Sequence, residues 1–292
     1  MNDTQLRSFH AAAQLGGFSN AAKALNISQP TITTQIRELE AHHGVELFAR
    51  KGRNVVLTAL GRDLLEITKR IFQLKADALD LLEAHGGQQA GHLRLAAVGP
   101  FHATDVLVAL KSHYPNVKVS VLLGNSQRTL ERLFEFSADV AMIAHFADDP
   151  RVEMVPFSRH QVIVFVHEKH PWFKRKTIRL RDLDGVDMVF REQGSTTRRA
   201  FETALQTAGV EVNPVVEIGS REAVWKAVEQ GIGIGVVADF EFVPHPRLRT
   251  VRISGVEIVT NYHIAYLKER RDSPLIKTLV NIATGLGAGK KK

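Results

Sequence analysis

One long helical pattern divides this chain into two parts. Apolar residues recur at helical spacing from Thr58 to Ala84, which predicts a single helix about 40 Å long at 1.5 Å per residue. Short amphipathic segments precede this helix and alternating strand and helix patterns follow it, which predicts an N-terminal unit over 1–57, a linker helix and hinge over 58–90, and a larger domain over 91–292. The apolar positions of the helix are Leu60, Leu64, Leu65, Ile67, Ile71, Leu74, Ala78, Leu81 and Leu82.

Composition excludes several classes of protein. The chain has no cysteine, which excludes disulfide scaffolds and thiolate sites, and it has no apolar run long enough to span a membrane. The N-terminus lacks the features of a signal peptide, so the chain is expected to lie in the cytoplasm. Lys+Arg exceed Asp+Glu to give a net charge of +7, to which Lys290–Lys292 contribute three charges, so net charge alone is weak evidence for a polyanionic partner.

The N-terminal unit shows the pattern of three short helices. Ser28 is a candidate N-cap for the third helix, Pro30 fits its first turn, and Gly44 ends it. The exposed face of this helix carries short or amide side chains, which can approach base edges and phosphates. The residues expected to contact DNA are Ser28, Gln29, Pro30, Thr31, Thr33, Thr34 and Arg37.

A basic hairpin is predicted after the third helix. Short apolar strands at 47–48 and 55–57 flank a segment with Arg50, Lys51 and Arg53. Three helices followed by a basic hairpin form a winged helix-turn-helix, whose third helix enters the major groove while the wing contacts the DNA backbone or the minor groove. Arg50, Lys51 and Arg53 complete the predicted DNA-binding set.

Residues 15–61 resemble the N-terminal signature of LysR-type transcriptional regulators. Thr33 and Leu60 stand where Ser and Ala are common, without altering charge or helical pattern. The matching residues are Leu15-Gly16, Phe18, Ala21-Ala22, Leu25, Ser28-Gln29-Pro30, Gln35-Ile36, Leu39-Glu40, Gly44, Leu47-Phe48, Arg50, Arg53, Leu57-Thr58 and Gly61.

The resemblance implies an oligomeric regulator of transcription. In this family the linker helix pairs with that of a second subunit and places two heads on a palindromic site, so it implies a homodimer, a homotetramer and a contact with RNA polymerase. The alternative is a linker helix that packs on its own domain.

The chain beyond residue 91 alternates strand and helix patterns, which predicts two parallel α/β subdomains. In the family, the effector domain resembles a two-lobed periplasmic solute-binding protein. Here the first lobe would comprise about 91–160 and 266–288 and the second about 161–265, with crossings near residues 160 and 265. Helices are expected at 103–114 and 129–136 in the first lobe.

Small polar residues lie at four strand-to-helix junctions, where helix N-termini favour anions. Arg198 and Arg221 stand beside two of these junctions, so a small anionic effector is predicted in the cleft. The alternative is that the serines only cap helices. The candidate effector residues are Phe101, His102, Thr104, Asn125, Ser126, Ser195, Thr196, Arg198, Ser220 and Arg221.

Segments 124–127, 191–198 and 217–224 further resemble the LysR-type subgroup associated with 2-aminoethylphosphonate catabolism. The phosphonate suits hydroxyls, N–H groups and an arginine, and the ammonium would need a carboxylate from Glu222 or Glu192.

Other signals are weaker. The glycines at 231–235 follow a helix and precede a strand, which is the reverse of a dinucleotide fingerprint, and the histidine pairs at 42–43 and 167–170 lack a third ligand. No catalytic motif, metal site or cofactor is predicted, so an enzyme is disfavoured. A DNA-binding regulator without an effector, whose α/β region serves oligomerisation or partner contact, remains the alternative function.

Overall fold

The computed structural model describes residues 1–51, 54–85, 91–144 and 148–289. Two compact units, Met1–Leu82 and Glu83–Lys292, are described separately. The predicted hinge residues 86–90, the predicted DNA-contacting residue Arg53 and the terminal lysines 290–292 lie outside the described residues.

The first unit contains a helical head, a hairpin and most of a long helix. Its elements are α1 (Asp3–Gln14), α2 (Phe18–Leu25), α3 (Gln29–His43), β1 (Phe48–Lys51), β2 (Asn54–Leu57) and α4 (Ala59–His85), the last of which continues into the second unit.

The head has its own core. Phe9, Ile32 and Ile36 are fully buried, and Ala21 is small enough for the helices to approach closely. Thr58 Oγ1 accepts the N–H of Gly61 (2.9 Å) and so caps α4. A Cβ on Gly61 would overlap the carbonyl oxygen of Leu47, so this glycine lets α4 pack against the strand region.

The first lobe of the second unit is an α/β layer. Its sheet has the order β4-β3-β5-β12-β6, with β3 parallel to β4 and β5, and β12 antiparallel to β5 and β6. Asp139 directly precedes β5 and binds Arg94 (2.5 Å) and Arg270 (2.6 Å). The elements are β3 (Gly91–Ala97), α5 (Pro100–His113), β4 (Val117–Leu123), α6 (Ser126–Phe134), β5 (Val140–Ala144), β6 (Val152–His167), β12 (Val259–Leu267) and α9 (Pro274–Gly289).

The second lobe repeats this layering. The far end of β6 begins a sheet of order β6-β10-β8-β9, in which β8, β9 and β10 are parallel, and β11 pairs with both β6 and β7. The elements are β7 (Thr177–Arg179), β8 (Asp187–Arg191), α7 (Thr196–Ala208), β9 (Asn213–Ile218), α8 (Arg221–Glu229), β10 (Ile234–Ala238) and β11 (Leu248–Ser254).

The second crossing between lobes lies earlier than the sequence predicts. β6 pairs with β12 up to Gln161 and with β10 from Val162, close to the predicted crossing at 160. However, β12 pairs with β6 along its whole length, beginning at Val259 opposite Gln161. The return crossing is therefore at Ile258 rather than near 265, because Thr260 and Asn261 interrupt the apolar pattern near the start of the strand.

Two helices of the first lobe also begin earlier than predicted. α5 starts at Pro100 rather than 103, and α6 starts at Ser126 rather than 129. The caps explain both differences, because Gly99 is extended and the Asn125 side chain accepts the N–H of Arg128 (2.9 Å). Predicted junction residues such as His102 and Thr104 therefore lie in the first turns of α5.

Candidate functional site

Helix α3 is held by one apolar face and by its caps. Ile32, Ile36 and Leu39 are buried against the head. Ser28 Oγ accepts the N–H of Thr31 (3.2 Å), as a capping serine should. Gly44 ends the helix in the left-handed conformation, with φ of 63°. The predicted limits and caps of this helix are confirmed.

The opposite face of α3 is open and polar. Six of the seven predicted α3 residues are exposed, and the seventh, Thr33, is half-buried and donates to the Gln29 carbonyl (3.0 Å). Arg37 forms no ion pair with any described residue. Ser19, in the first turn of α2, donates to Gln29 Oε1 (2.8 Å). α2 thus helps to orient a side chain at the start of α3.

The hairpin is anchored to α3 by a glutamate. Glu40 Oε1 accepts the backbone N–H groups of Leu47 (2.7 Å) and Phe48 (3.1 Å), where β1 begins. Arg50 is exposed on β1, and Lys51 pairs with Asn54 at the described end of the hairpin. The sequence contained Glu40 within the LysR-like motif, yet only the structure shows that it fixes the wing to the helix.

Helix α4 carries an exposed apolar stripe. Leu60, Ile67, Leu74 and Leu81 repeat every seven residues and are 46%, 54%, 63% and 45% exposed. Half-buried Leu64 and Ile71 and exposed Ala78 complete a 3-4 spacing. This is the heptad pattern of a helix that pairs with another helix.

Four helix N-termini in the second unit meet at the boundary between the lobes. Asn125 Nδ2 of the first lobe donates to Glu192 Oε1 of the second (3.1 Å), and the Ser126 and Thr196 hydroxyls lie 3.4 Å apart. Arg221 donates to the carbonyl of Val98 (3.3 Å). The predicted convergence of the junctions is therefore present, and the two lobes contact each other there.

The serines at these junctions serve as caps. Ser195 is buried and accepts the N–H of Arg198 (3.4 Å). Ser220 accepts the N–H of Ala223 (3.3 Å) and donates to Glu222 (2.7 Å), which lowers the pKa of that carboxyl. In this conformation both hydroxyls are engaged within the chain.

The two predicted arginines already have carboxylate partners. Arg198 is 8% exposed and binds Glu202 (2.7 Å) and Glu217 (2.6 Å), so it joins α7 to β9. Arg221 Nη2 binds Glu241 Oε1 (2.6 Å). The sequence analysis identified none of these three partners: Glu202 is four residues from Arg198 on the same helix, whereas Glu217 is 19 residues from Arg198 and Glu241 is 20 residues from Arg221.

Glu241 is the buried centre of the Arg221 cluster. It is 2% exposed and also accepts the Tyr262 hydroxyl (3.4 Å). Burial raises the pKa of Glu241, and the nearby Arg221 only partly offsets this effect. Burial likewise raises the pKa of Tyr262.

Glu192 has the opposite electrostatic balance. Burial alone would raise the pKa of Glu192, but bonds from Arg191 (2.8 Å) and Asn125 outweigh it and lower the pKa. Arg191 was missed by the effector prediction because it ends a strand rather than beginning a helix.

His102 belongs to a buried polar chain. It is 5% exposed, and its Nε2 lies 3.1 Å from both His160 Nε2 and Ser158 Oγ. His160 Nδ1 in turn lies 3.0 Å from Asp239 Oδ1. Phe240 stacks on the His102 ring with centroids 4.0 Å apart. Of the other two predicted residues of this segment, Phe101 is half-buried against Phe240 and Thr104 is exposed.

The space at the meeting point is divided unequally, and a cavity lined by Phe101, Arg221, Glu222 and Glu241 has a volume of about 390 Å³. The cavity bounded by Gly99, His102, Phe240 and Tyr262 has a volume of about 10 Å³. A groove of about 1000 Å³ opens beside α7 and reaches Ala144 of the first lobe. Its other lining residues include Thr196, Arg199, Thr260 and Asn261.

No alternative chemistry emerges from the described part of the chain. The glycine-rich segment lies between α8 and β10, in the order expected for a helix end and a buried strand. No group of three or more described His, Asp or Glu residues is arranged to hold a metal. Within the described ranges, no helix combines the length and apolar character of a membrane span.

Known proteins share both units. Residues 4–62 match the bacterial regulatory helix-turn-helix proteins of the lysR family, and residues 86–286 match the LysR substrate binding domain. The HTH-type transcriptional activator CmpR of Synechocystis sp. is 29% identical over 283 residues, covering 95% of this chain and 93% of CmpR. The uncharacterized HTH-type transcriptional regulator MJ0300 of Methanocaldococcus jannaschii is 31% identical, covering 95% and 97%.

Solved structures of LysR-type regulators share the fold of this chain. Full-length CbnR, crystallised with its target DNA, has 26% identity and a TM-score of 0.73 over 98% of this chain and all of that one. A full-length OxyR variant from Pseudomonas aeruginosa, at 21% identity, shares the fold with a TM-score of 0.74 over 98% and 94%. The predicted fold class is confirmed, and because the relatives are named as regulators of transcription, so is the prediction that the chain is not an enzyme. This chain belongs to the LysR family of DNA-binding transcriptional regulators.

Proposed function

We propose that the open face of α3 reads a palindromic promoter site in the major groove while the hairpin contacts the adjacent backbone. The observation that carries this proposal is that α3 is fixed by caps and core on one side and leaves Gln29, Thr34 and Arg37 exposed on the other. Such side chains can reach base edges, and the exposed Arg50 of the wing can reach phosphate. The protein would act in the bacterial cytoplasm.

The exposed heptad stripe of α4 supports a homodimer through this helix. Pairing would cover Ile67 and Leu74, which are otherwise in contact with water. Two heads on one dimer account for a palindromic site, and a homotetramer joins two such dimers. RNA polymerase is the further partner that an activator would need.

Selection of bound fragments from a random-sequence DNA library tests the head. The recovered site should be palindromic, and Arg37→Ala should weaken binding to it about 10-fold or more. Arg7→Ala, which removes an exposed arginine from α1, is the matched control. Equal affinities for the two variants would remove Arg37 from the reading face.

We further propose that the lobes close on a small anion that also carries a cationic group. The meeting point has Arg191 and Arg221 together with Glu192, Glu222 and Glu241. Carboxylates beside arginines suit a zwitterion better than a simple anion, because each ligand charge then meets its opposite. 2-Aminoethylphosphonate or a related phosphonate has this chemistry.

The lobes must separate for such a ligand to enter the 10 Å³ space, whereas the 390 Å³ cavity beside Arg221 and Glu222 is already present. Ligand groups would then replace the Asn125–Glu192 bond and share the helix N-termini. The buried cap Ser195 and the ion-paired Arg198 would position α7.

Calorimetric titration with 2-aminoethylphosphonate tests this proposal, with phosphate and sulfate as anions that lack the amine. Saturable binding of the phosphonate alone, lost in Ser195→Ala, would support it. 2-PG, which is bound in the solved CcmR regulatory domain of Synechocystis PCC6803, is a second test compound. If none of these four compounds binds, the alternative is favoured, namely a regulator whose second unit serves oligomerisation or partner contact.

A further inference from the structure

A strongly basic segment lies in the second lobe, and its last residues, Arg179 and Arg181, line the groove beside α7. Residues 169–181 contain six lysines and arginines and no aspartate or glutamate. They are Lys169, Lys174, Arg175, Lys176, Arg179 and Arg181. The segment turns at Trp172, passes through three consecutive cations and enters β7.

Strand pairing adds two further arginines to this segment. β11 runs parallel to β7, with Arg252 opposite Thr177 and the Arg252 N–H donating to the Lys176 carbonyl (3.1 Å). The Arg249 guanidinium lies over the Phe173 ring, 5.2 Å from its centroid. We name the group Lys174, Arg175, Lys176, Arg249 and Arg252 the basic corner.

The charge of the basic corner is not neutralised within the described part of the chain. All five side chains are exposed, and none forms an ion pair with a described carboxylate. The neighbouring Arg247 differs, because it binds Glu168 (3.0 Å) and lies 3.6 Å from Glu229. Five uncompensated like charges on adjoining elements repel one another and create a positive potential.

The basic corner also lacks an apolar anchor. Trp172, Ile178 and Val251 of the same elements are only 8%, 3% and 0% exposed, and the half-buried Phe173 lies under the Arg249 guanidinium. Interfaces with proteins are centred on buried aromatic or aliphatic anchors, whereas contacts with nucleic-acid backbones are dominated by Lys and Arg. A polyphosphate surface therefore fits this patch better than an acidic protein surface does.

We propose that the basic corner binds the sugar-phosphate backbone of double-stranded DNA, as a contact that is independent of base sequence and separate from the winged head. The proposal assigns to the second lobe a share of the affinity for DNA, while the α3 face supplies the specificity. This assignment rests on the proposed function, but the basic corner could prove not to bind DNA while the proposed function of the head still holds.

The test uses full-length protein and Lys174→Gln/Arg175→Gln/Lys176→Gln, which lie in an exposed turn. Lys118→Gln/Lys268→Gln/Arg271→Gln changes net charge equally at exposed positions elsewhere in the unit. Fluorescence anisotropy on a random-sequence duplex of about 60 bp, over a series of KCl concentrations, gives the slope of log K against log salt. Each phosphate that the protein no longer neutralises should reduce that slope by about 0.9.

We expect the corner variant to have a slope smaller by about 2 to 3 and a several-fold weaker affinity, and the control to match wild type. Arg249→Gln/Arg252→Gln should act in the same direction. On the selected operator, the ratio of specific to non-specific affinity should stay unchanged.

Three outcomes are distinguishable. If wild type binds no DNA at all, the proposed function itself fails. If wild type binds but the corner variant keeps the wild-type slope, the basic corner does not contact DNA, and an acidic protein becomes the partner to seek. If the control loses slope equally, the effect is one of net charge, and the assignment to this corner is wrong.

Discussion

The α3 face and the boundary between the lobes are both rich in polar residues, but they bond in different ways. On α3, exposed side chains such as Thr34 and Arg37 leave most of their hydrogen-bonding groups facing outward, while buried Ile32 and Ile36 hold the helix. Between the lobes, Asn125, Glu192 and Arg221 bond to one another or to backbone across the boundary. The first surface is preformed, whereas the second is occupied by its own side chains.

This difference follows from where a partner must go. DNA approaches from outside, so a rigid helix face can present side chains permanently. A small molecule must be enclosed, so the groups that would hold it meet each other when it is absent and the lobes touch. Substitutions on α3 should therefore alter binding without altering stability, and substitutions between the lobes should alter stability as well.

Glu241→Ala should have the largest effect. Removing this buried carboxylate leaves Arg221 without its ion-pair partner, which costs about 3–5 kcal/mol for a buried pair. Urea unfolding of the full chain measures the change in the second unit. Glu222→Ala, at an exposed position near the same arginine, is the control and should stay within about 0.5 kcal/mol. Equal losses would mean that burial of the ion pair is not what stabilises this region.

Gln29→Ala should instead reduce discrimination between the selected operator and a mutated site by about 1–3 kcal/mol. The free energy of unfolding should be unchanged, because Gln29 is exposed and its side chain bonds only to Ser19 among the described residues. Competition binding and urea unfolding on the same preparation provide the two numbers. A loss of stability as large as the loss of discrimination would place Gln29 among the structural residues.

Gly194→Ala should disturb the lobe boundary alone. A Cβ at this position would overlap the side-chain amide of Asn125 in the other lobe, and such overpacking costs about 1–3 kcal/mol. Gly219→Ala is a matched control, since its Cβ would meet nothing within 4 Å. Comparison of the two unfolding curves measures the contact between the lobes. If both variants are equally stable, Asn125 yields at no cost and the lobes are not held closely there.

The head was easier to predict than the lobe boundary for a physical reason. The features of α3 are local: Ser28 and Gly44 cap it, and its buried residues recur at helical spacing. Such features can be predicted from the sequence of one helix alone. The partners of Arg198 and Arg221 arise from strand order and lobe contact, which a single sequence does not encode locally. For the same reason the Asn125 and Ser195 junctions were located correctly, while Glu217 and Glu241 were missed as their neighbours.

The sequence analysis also missed the structural role of side chains that bond to backbone groups of another element. Glu40 stood within the recognised motif, but its two bonds to the start of β1 link a helix to a hairpin and have no helical or strand periodicity. The return crossing was predicted too late in the chain for a related reason. Thr260 and Asn261, near the start of β12, are polar like the residues of a loop.

The smallest effects are expected from pH, and the two acids at the lobe boundary should respond with opposite signs. The lowered pKa of Glu192 means that its bonds stabilise the fold above the ordinary carboxyl range, and that this stability is lost as pH falls through the lowered value. The raised pKa of Glu241 means that protonation favours the fold, so its contribution is lost as pH rises through the raised value.

Urea unfolding between about pH 3 and 8 separates these contributions when Glu192→Gln and Glu241→Gln are compared with wild type. As the pH falls, wild type should lose stability relative to Glu192→Gln and gain stability relative to Glu241→Gln. Each change should stay below about 1.4 kcal/mol for every pH unit crossed. Parallel curves would show that neither carboxyl is perturbed by folding. Slopes of the same sign would mean that Arg221 outweighs burial at Glu241, which would make the lobe boundary a site of charged pairs throughout and narrow its contrast with the exposed charges on α3.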